Sequence, residues 1–124
     1  MAGVYPEAVF NGADPLYQPG QVGYYYMHFG GSPEEYPDRY QRITSENLVD
    51  KEHTPPMLII YGTSDHYVPV KSTRKFIKVL DEKGINYKSI EVPFAEHIFD
   101  MLGGSIGSQI YEQSSLKWFE LYYK

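Results

Sequence analysis

Met57-Leu-Ile-Ile-Tyr-Gly-Thr-Ser-Asp-His-Tyr-Val-Pro69 is the stretch whose reading decides the fold. Residues 57–61 are apolar without a break, as a parallel strand covered on both faces requires. Gly62 ends the run, a polar turn presents Asp65, and Val68-Pro69 redirects the chain toward a helical pattern. In open α/β sheets, ligands sit at the carboxyl ends of such strands, so Asp65 stands at a functional edge. Residues 72–83 carry Phe76, Ile77, Val79 and Leu80 at helical spacing, with Lys71, Arg74, Lys75, Lys78 and Lys83 mostly on the other side, and Lys71 to Lys78 read as a solvated face. Gly84 supplies a left-handed stop. A second strand follows over residues 85–92, and a right-handed crossover makes it parallel to the first. It leads into Ala95-Glu-His-Ile-Phe99, which places His97 at the same sheet edge as Asp65. A last helix over residues 109–123, with Ile110, Trp118, Leu121 and Tyr122 on one period, packs on the sheet.

Upstream the chain is less regular. Residues 1–27 are broken by Gly, Pro, Asn and Asp, leaving only pieces such as 8–10 for strand, and Tyr24-Tyr-Tyr26 reads as a half-buried aromatic patch. Gly30-Gly-Ser-Pro-Glu-Glu35 is a capping box, with Ser32 as cap, Pro33 at the first helical position and Glu35 reaching back. It predicts a short helix that Pro37 curtails. Thr44 or Ser45 then caps another short helix through Asn47 and Leu48. Residues 1–52 are therefore a loop-rich, short-helix segment, and residues 53–124 a strand-helix-strand-helix unit of one domain. His53-Thr-Pro-Pro56 stiffens the approach to the first strand.

A chain of 124 residues is one domain's worth and buries roughly 65–70% of its unfolded surface on folding. The net charge of −5 with scattered Lys and Arg argues against a nucleic-acid partner. Cysteine is absent, which removes disulfides and thiolate chemistry and fits a reducing compartment. No apolar run approaches the ~20 residues that span a bilayer, and no basic segment precedes a hydrophobic one. The expectation is a cytoplasmic chain without membrane contact. His28, His53 and His66 lack ligand spacing, so neither a metal nor another cofactor is expected.

The stretch Tyr61-Gly-Thr-Ser-Asp65-His-Tyr-Val-Pro69, followed by an amphipathic helix, a strand and His97, resembles the C-terminal third of an α/β-hydrolase of the esterase/lipase kind. The segment Phe29-Gly-Gly-Ser-Pro-Glu-Glu35 with Tyr36-Pro-Asp-Arg-Tyr40 is similar to what precedes the acid strand in small carboxylesterases of the feruloyl-esterase-like or hormone-sensitive-lipase-like groups. The likeness covers residues 27–123. It implies a partial α/β-hydrolase fold with parallel strands and flanking helices, a small ester as substrate, Asp65 as triad acid and His97 as general base. Tyr61 stands where many members have His, and Glu96 and Ile98 flank His97 where Gly is common.

The chemistry explains why those residue types are needed. A serine hydroxyl is a weak nucleophile until an imidazole takes its proton, and a carboxylate on the other ring nitrogen fixes the tautomer and stabilises the imidazolium. The family order is Ser, acid, His, with Ser on a Gly-x-Ser-x-Gly elbow between strand and helix. Nothing before Asp65 matches that elbow, so these residues look like the back of a hydrolase without its front, inactive alone. Two short motifs imitate missing parts. Gly103-Gly-Ser105-Ile-Gly107 fits the elbow pattern, yet little room for a strand lies between His97 and Gly103, and a turn capped by Ser105 or Ser108 explains it as well. His28-Phe-Gly-Gly31 imitates an oxyanion loop, while the capping box accounts for the same residues. The alternatives are a non-catalytic binding or assembly module and a complete hydrolase using Ser105. A sheet of two confident strands leaves edges that another chain would cover, so a homodimer or higher oligomer is expected.

Overall fold

The computed structural model describes residues 27–122; the expectations for residues 8–10, for Tyr24-Tyr-Tyr26 and for Tyr123 lie outside them. The elements are α1 (Pro37–Gln41), α2 (Ser45–Leu48), β1 (Met57–Gly62), α3 (Val70–Lys83), β2 (Tyr87–Val92), a 3-10 turn (Phe99–Met101) and α4 (Ile106–Tyr122). The two strands pair in parallel, with Met57 opposite Tyr87 and Gly62 opposite Val92. Strand, crossover helix, strand, helix is thus the observed order, and it is a partial α/β-hydrolase fold.

The capping box forms but starts no helix. The Ser32 amide donates to Glu35 Oε2 at 2.8 Å and the Glu35 amide to Ser32 Oγ at 3.3 Å. One bond from the Tyr36 amide to the Ser32 carbonyl closes the turn at 3.0 Å. Pro37 has no N–H to continue the ladder, and it opens α1 instead, where a missing donor costs nothing. Thr44 precedes α2 as expected, although its hydroxyl donates to the Tyr40 carbonyl at 2.9 Å rather than capping.

The core lies toward the amino ends of the strands. Leu80 is fully buried, packed with Val49 and Ile85 and flanked by Met57, Ile59, Phe76, Val79 and Tyr87. Gly84, at φ 64°, ends α3 in the left-handed region that glycine adopts freely. Its amide bonds the Asp81 carbonyl at 3.0 Å, and the Ile85 amide bonds Leu80 at 2.9 Å. Ile85 is therefore spent on the cap and the core, and β2 starts at Tyr87 rather than at residue 85.

Three expectations need correction. Residues 57–61 are half-buried, not buried on both faces. Among the described residues β1 has one strand neighbour, and although α3 and α4 both pack against it, part of its surface stays open. The basic face of α3 is not all solvated. Lys75 Nζ lies 3.5 Å from the buried Glu46 carboxylate, and beyond that face Lys83 Nζ donates to the Glu46 and Val49 carbonyls at 2.6 and 2.8 Å, satisfying free carbonyls at the end of α2. Arg74 grips Glu91 of β2 with two bonds, at 3.0 and 2.7 Å. Finally, α4 begins at Ile106, not residue 109, and Leu121 is exposed, as are Leu116 and Tyr111. Ser108 is buried, and the half-buried positions are Gly107, Ile110, Ser114, Ser115 and Trp118.

Candidate active site

At the carboxyl end of β1, Gly62 is where the two loops cross. A Cβ there would stand 2.0 Å from the Ala95 carbonyl oxygen, so only glycine lets the loop after β2 pass so close. The crossing is then stitched together. The Thr63 amide donates to the Val92 carbonyl at 3.1 Å, the Ser64 amide to Ala95 at 3.0 Å, and the Phe94 amide to Thr63 Oγ1 at 2.7 Å. These bonds bring the residues after each strand face to face.

Asp65 is fixed by its own loop. Its Oδ1 accepts from the Tyr67 and Val68 amides, both at 2.8 Å, which turns the chain into Pro69 and α3. That leaves Oδ2 for His97 Nδ1, 2.9 Å away. The Asp65 side chain is 10% exposed and that of His97 35%. An ionised carboxylate only accepts, so Nδ1 carries the proton in this pair and Nε2 is the basic nitrogen. Among the described residues Nε2 has no hydrogen-bond partner. The Tyr67 ring lies against the imidazole, centroids 5.1 Å apart.

The backbone around His97 is strained. Phe94 and Ile98 have φ of 59° and 55°, the positive-φ residues other than glycine among those described. A β-branched residue there is a genuine outlier, of the kind that gathers at functional sites. This gives physical content to the place where the esterase resemblance led one to expect Gly. Phe94 is nevertheless 88% exposed.

Sequence reasoning missed several contacts beside the pair. His66 Nδ1 pairs with Glu96 Oε1. Counting on from the Gly62–Val92 register matches His66 with Glu96, a correspondence that parallel pairing alone does not give and that needs the register. Tyr61 faces Glu91 across the strands and donates to it at 2.9 Å, while Arg74 closes on the same carboxylate. The Arg74 hydrogen bonds, then that of Tyr61, hold Glu91 below the usual glutamate range. Burial, then the Glu91 contact, pushes the Tyr61 phenol up.

The imitation motifs find ordinary partners. Ser105 Oγ accepts from the Ser108 amide at 3.0 Å and its carbonyl accepts from Gln109 at 3.1 Å, so Ser105 caps α4 and moves its start to Ile106. A 3-10 turn, not a strand, comes before it. At the other motif, the Phe29 and Gly31 carbonyls take the Arg39 guanidinium and the Tyr40 hydroxyl, each at 2.6 Å. Among the described residues no group of three or more acidic or histidine side chains is arranged to hold a metal, and no helix is long and apolar enough to cross a membrane.

A parallel strand pair with a crossover helix, and an aspartate hydrogen-bonded to a histidine at its carboxyl edge, defines this as a hydrolase-type α/β chain. It belongs to the prolyl oligopeptidase family, whose profile matches residues 18–124. Among solved structures it is similar to the acetyl ester-xyloside bifunctional hydrolase of Caldicellulosiruptor lactoaceticus, at TM-score 0.60 and 24% identity, covering 68% of this chain and 30% of that one. It is also similar to the thermophilic esterase Est2 of Thermogutta terrifontis with propionate bound, at TM-score 0.63 and 18% identity, covering 86% and 37%. A stretch of 54 residues, 44% of the chain, is 32% identical to the non-reducing polyketide synthase Preu6 of Preussia isomera, where it covers 2% of that protein. The chain thus spans about a third of the length of these solved structures.

Proposed function

We propose that residues 1–124 form the acid-and-base portion of a serine hydrolase acting on carboxylic esters, with His97 as general base and Asp65 as its orienter. The observation that carries this reading is the 2.9 Å bond from His97 Nδ1 to a carboxylate already anchored by two backbone amides. Asp65 holds the ring in one tautomer and offsets the charge that develops when Nε2 takes a proton from a serine hydroxyl. The same nitrogen returns the proton to the leaving alcohol. The family match adds a second reading, acyl transfer from a peptide bond, in which the same proton goes to an amine instead.

The nucleophile lies outside these residues, which on their own are inactive. Treatment with a serine-reactive fluorophosphonate, followed by intact mass, together with turnover of a short p-nitrophenyl ester, tests this. No adduct and no turnover above buffer is the expected result. A single adduct on Ser105 with turnover would establish a self-contained hydrolase and remove the present reading. Among the described residues the sheet has two strands with unpaired edges, and this together with the half-buried β1 supports association of the isolated chain through an edge. Sedimentation should show a dimer or larger species, and a compact monomer at high concentration would count against it.

A further inference from the structure

The loops after β1 and β2 carry the same dipeptide chemistry, an acid followed by a histidine: Asp65-His66 and Glu96-His97. They pair reciprocally. Asp65 takes His97, and Glu96 takes His66. Glu96 Oε2 also lies 3.4 Å from the backbone amides of both His66 and His97. Each member of the first pair is therefore one peptide bond from a member of the second. We propose that Glu96, acting through His66, is a positioning residue that holds His97 against Asp65; this rests on the reading of His97 as general base and goes beyond it.

The two partners of the inner pair are anchored unequally. The Asp65 side chain is only 10% exposed and its Oδ1 is fixed by two short amide bonds from its own loop. His97 is more exposed and is followed by Ile98 in a strained left-handed conformation. A strained, exposed link favours departure of the ring, and swinging the ring away moves the residues around it. The Glu96 carboxylate opposes this by joining the His97 loop to the residue next to Asp65.

The bland reading is an ordinary surface ion pair. His66 and Glu96 are 40% and 52% exposed, and such pairs contribute little to global stability. A positioning role needs no large energy, because it acts on the local equilibrium of one ring. An exposed pair is sufficient to change the bonded population of His97 by up to about fivefold.

The test follows the His97 Nδ1 proton by NMR in the ¹⁵N-labelled chain, beside the urea midpoint of each variant. In Glu96→Ala the hydrogen-bonded signal should weaken and broaden, by up to about fivefold in bonded population, while the urea midpoint stays near wild type. Glu96→Gln, which keeps one acceptor oxygen, should recover part of the signal. His66→Ala should reproduce Glu96→Ala, and the double variant should be no worse than either. An unchanged signal in Glu96→Ala overturns the assignment, and so does a loss that merely tracks a fall in the midpoint. Absence of the bonded proton in the wild type would instead remove the Asp65–His97 pair itself, and this assignment with it.

Discussion

The two ends of the strand pair are built on different physics. At the amino end, Leu80, Val49 and Ile85 are held by apolar contact, and the side chains around them come from α3 and both strands. At the carboxyl end, the loops after Gly62 and Val92 are held by hydrogen bonds to one another, with Val68 and Val92 as the buried apolar side chains beside them among the described residues. Apolar contact tolerates small displacements, whereas a hydrogen bond between two loops demands one geometry. The amino end supplies stability, and the carboxyl end spends some of it on strained backbone and close approach.

Replacing the central side chain of the stable end is the strongest way to break that contrast. Leu80→Ala should lower unfolding stability by about 2–5 kcal/mol, since Leu80 is fully buried and its removal leaves a cavity. Urea denaturation would measure this, and a loss within the range of surface substitutions would mean that the amino end is not the seat of stability. Next in size is Gly62→Ala. Its methyl would meet the Ala95 carbonyl, so a cost of about 1–3 kcal/mol is expected from overpacking. Here the His97–Asp65 bond should weaken together with stability, because the crossing loops set it.

Ile98→Gly should act in the opposite direction. Relief of the positive φ outweighs the added flexibility of glycine at this exposed position, and stability should rise by about 0.5–1 kcal/mol. A calorimetric midpoint that falls instead would show that the Ile98 side chain contributes more than its backbone costs.

The smallest effect concerns pH. Glu91 is held below its ordinary value of 4.5 by Arg74 and Tyr61, so the unfolded chain binds this proton more readily than the folded one. The contribution is present above that ordinary value and is lost as pH falls through the lower, folded one. Glu91→Gln should therefore flatten the acid limb of the stability profile by lowering stability slightly near neutrality, while leaving the acid end little changed. An unaltered acid limb in urea titrations would remove this cluster from the account.

What was legible in the sequence follows from how local each signal is. The run 57–61, the period of Phe76, Val79 and Leu80, and Gly84 each act within a few residues, and they placed β1, α3 and the turn to β2. Asp65 and His97 were visible because a parallel sheet puts the carboxyl ends of its strands together. The capping box misled because Pro37, only five positions after Ser32, decides where the helix starts. The half-burial of β1 and the outward Leu121 depend on which other elements cover the sheet, and no residue near them records that. Gly62 read as a strand end, while its need for close approach comes from Ala95, a residue far along the chain. The Glu96–His66 pair was hidden for the same reason, since it exists only once the register is set.

The most direct test of the central claim is the tautomer of His97 in the wild-type chain, read from its two ring ¹⁵N shifts and their attached protons near neutral pH. The account predicts a proton on Nδ1, slowed in exchange by Asp65, and a bare Nε2 able to act as base. A ring protonated on Nε2, or one averaging freely between the two forms, would contradict the assignment of Asp65 and His97 as an acid-oriented base.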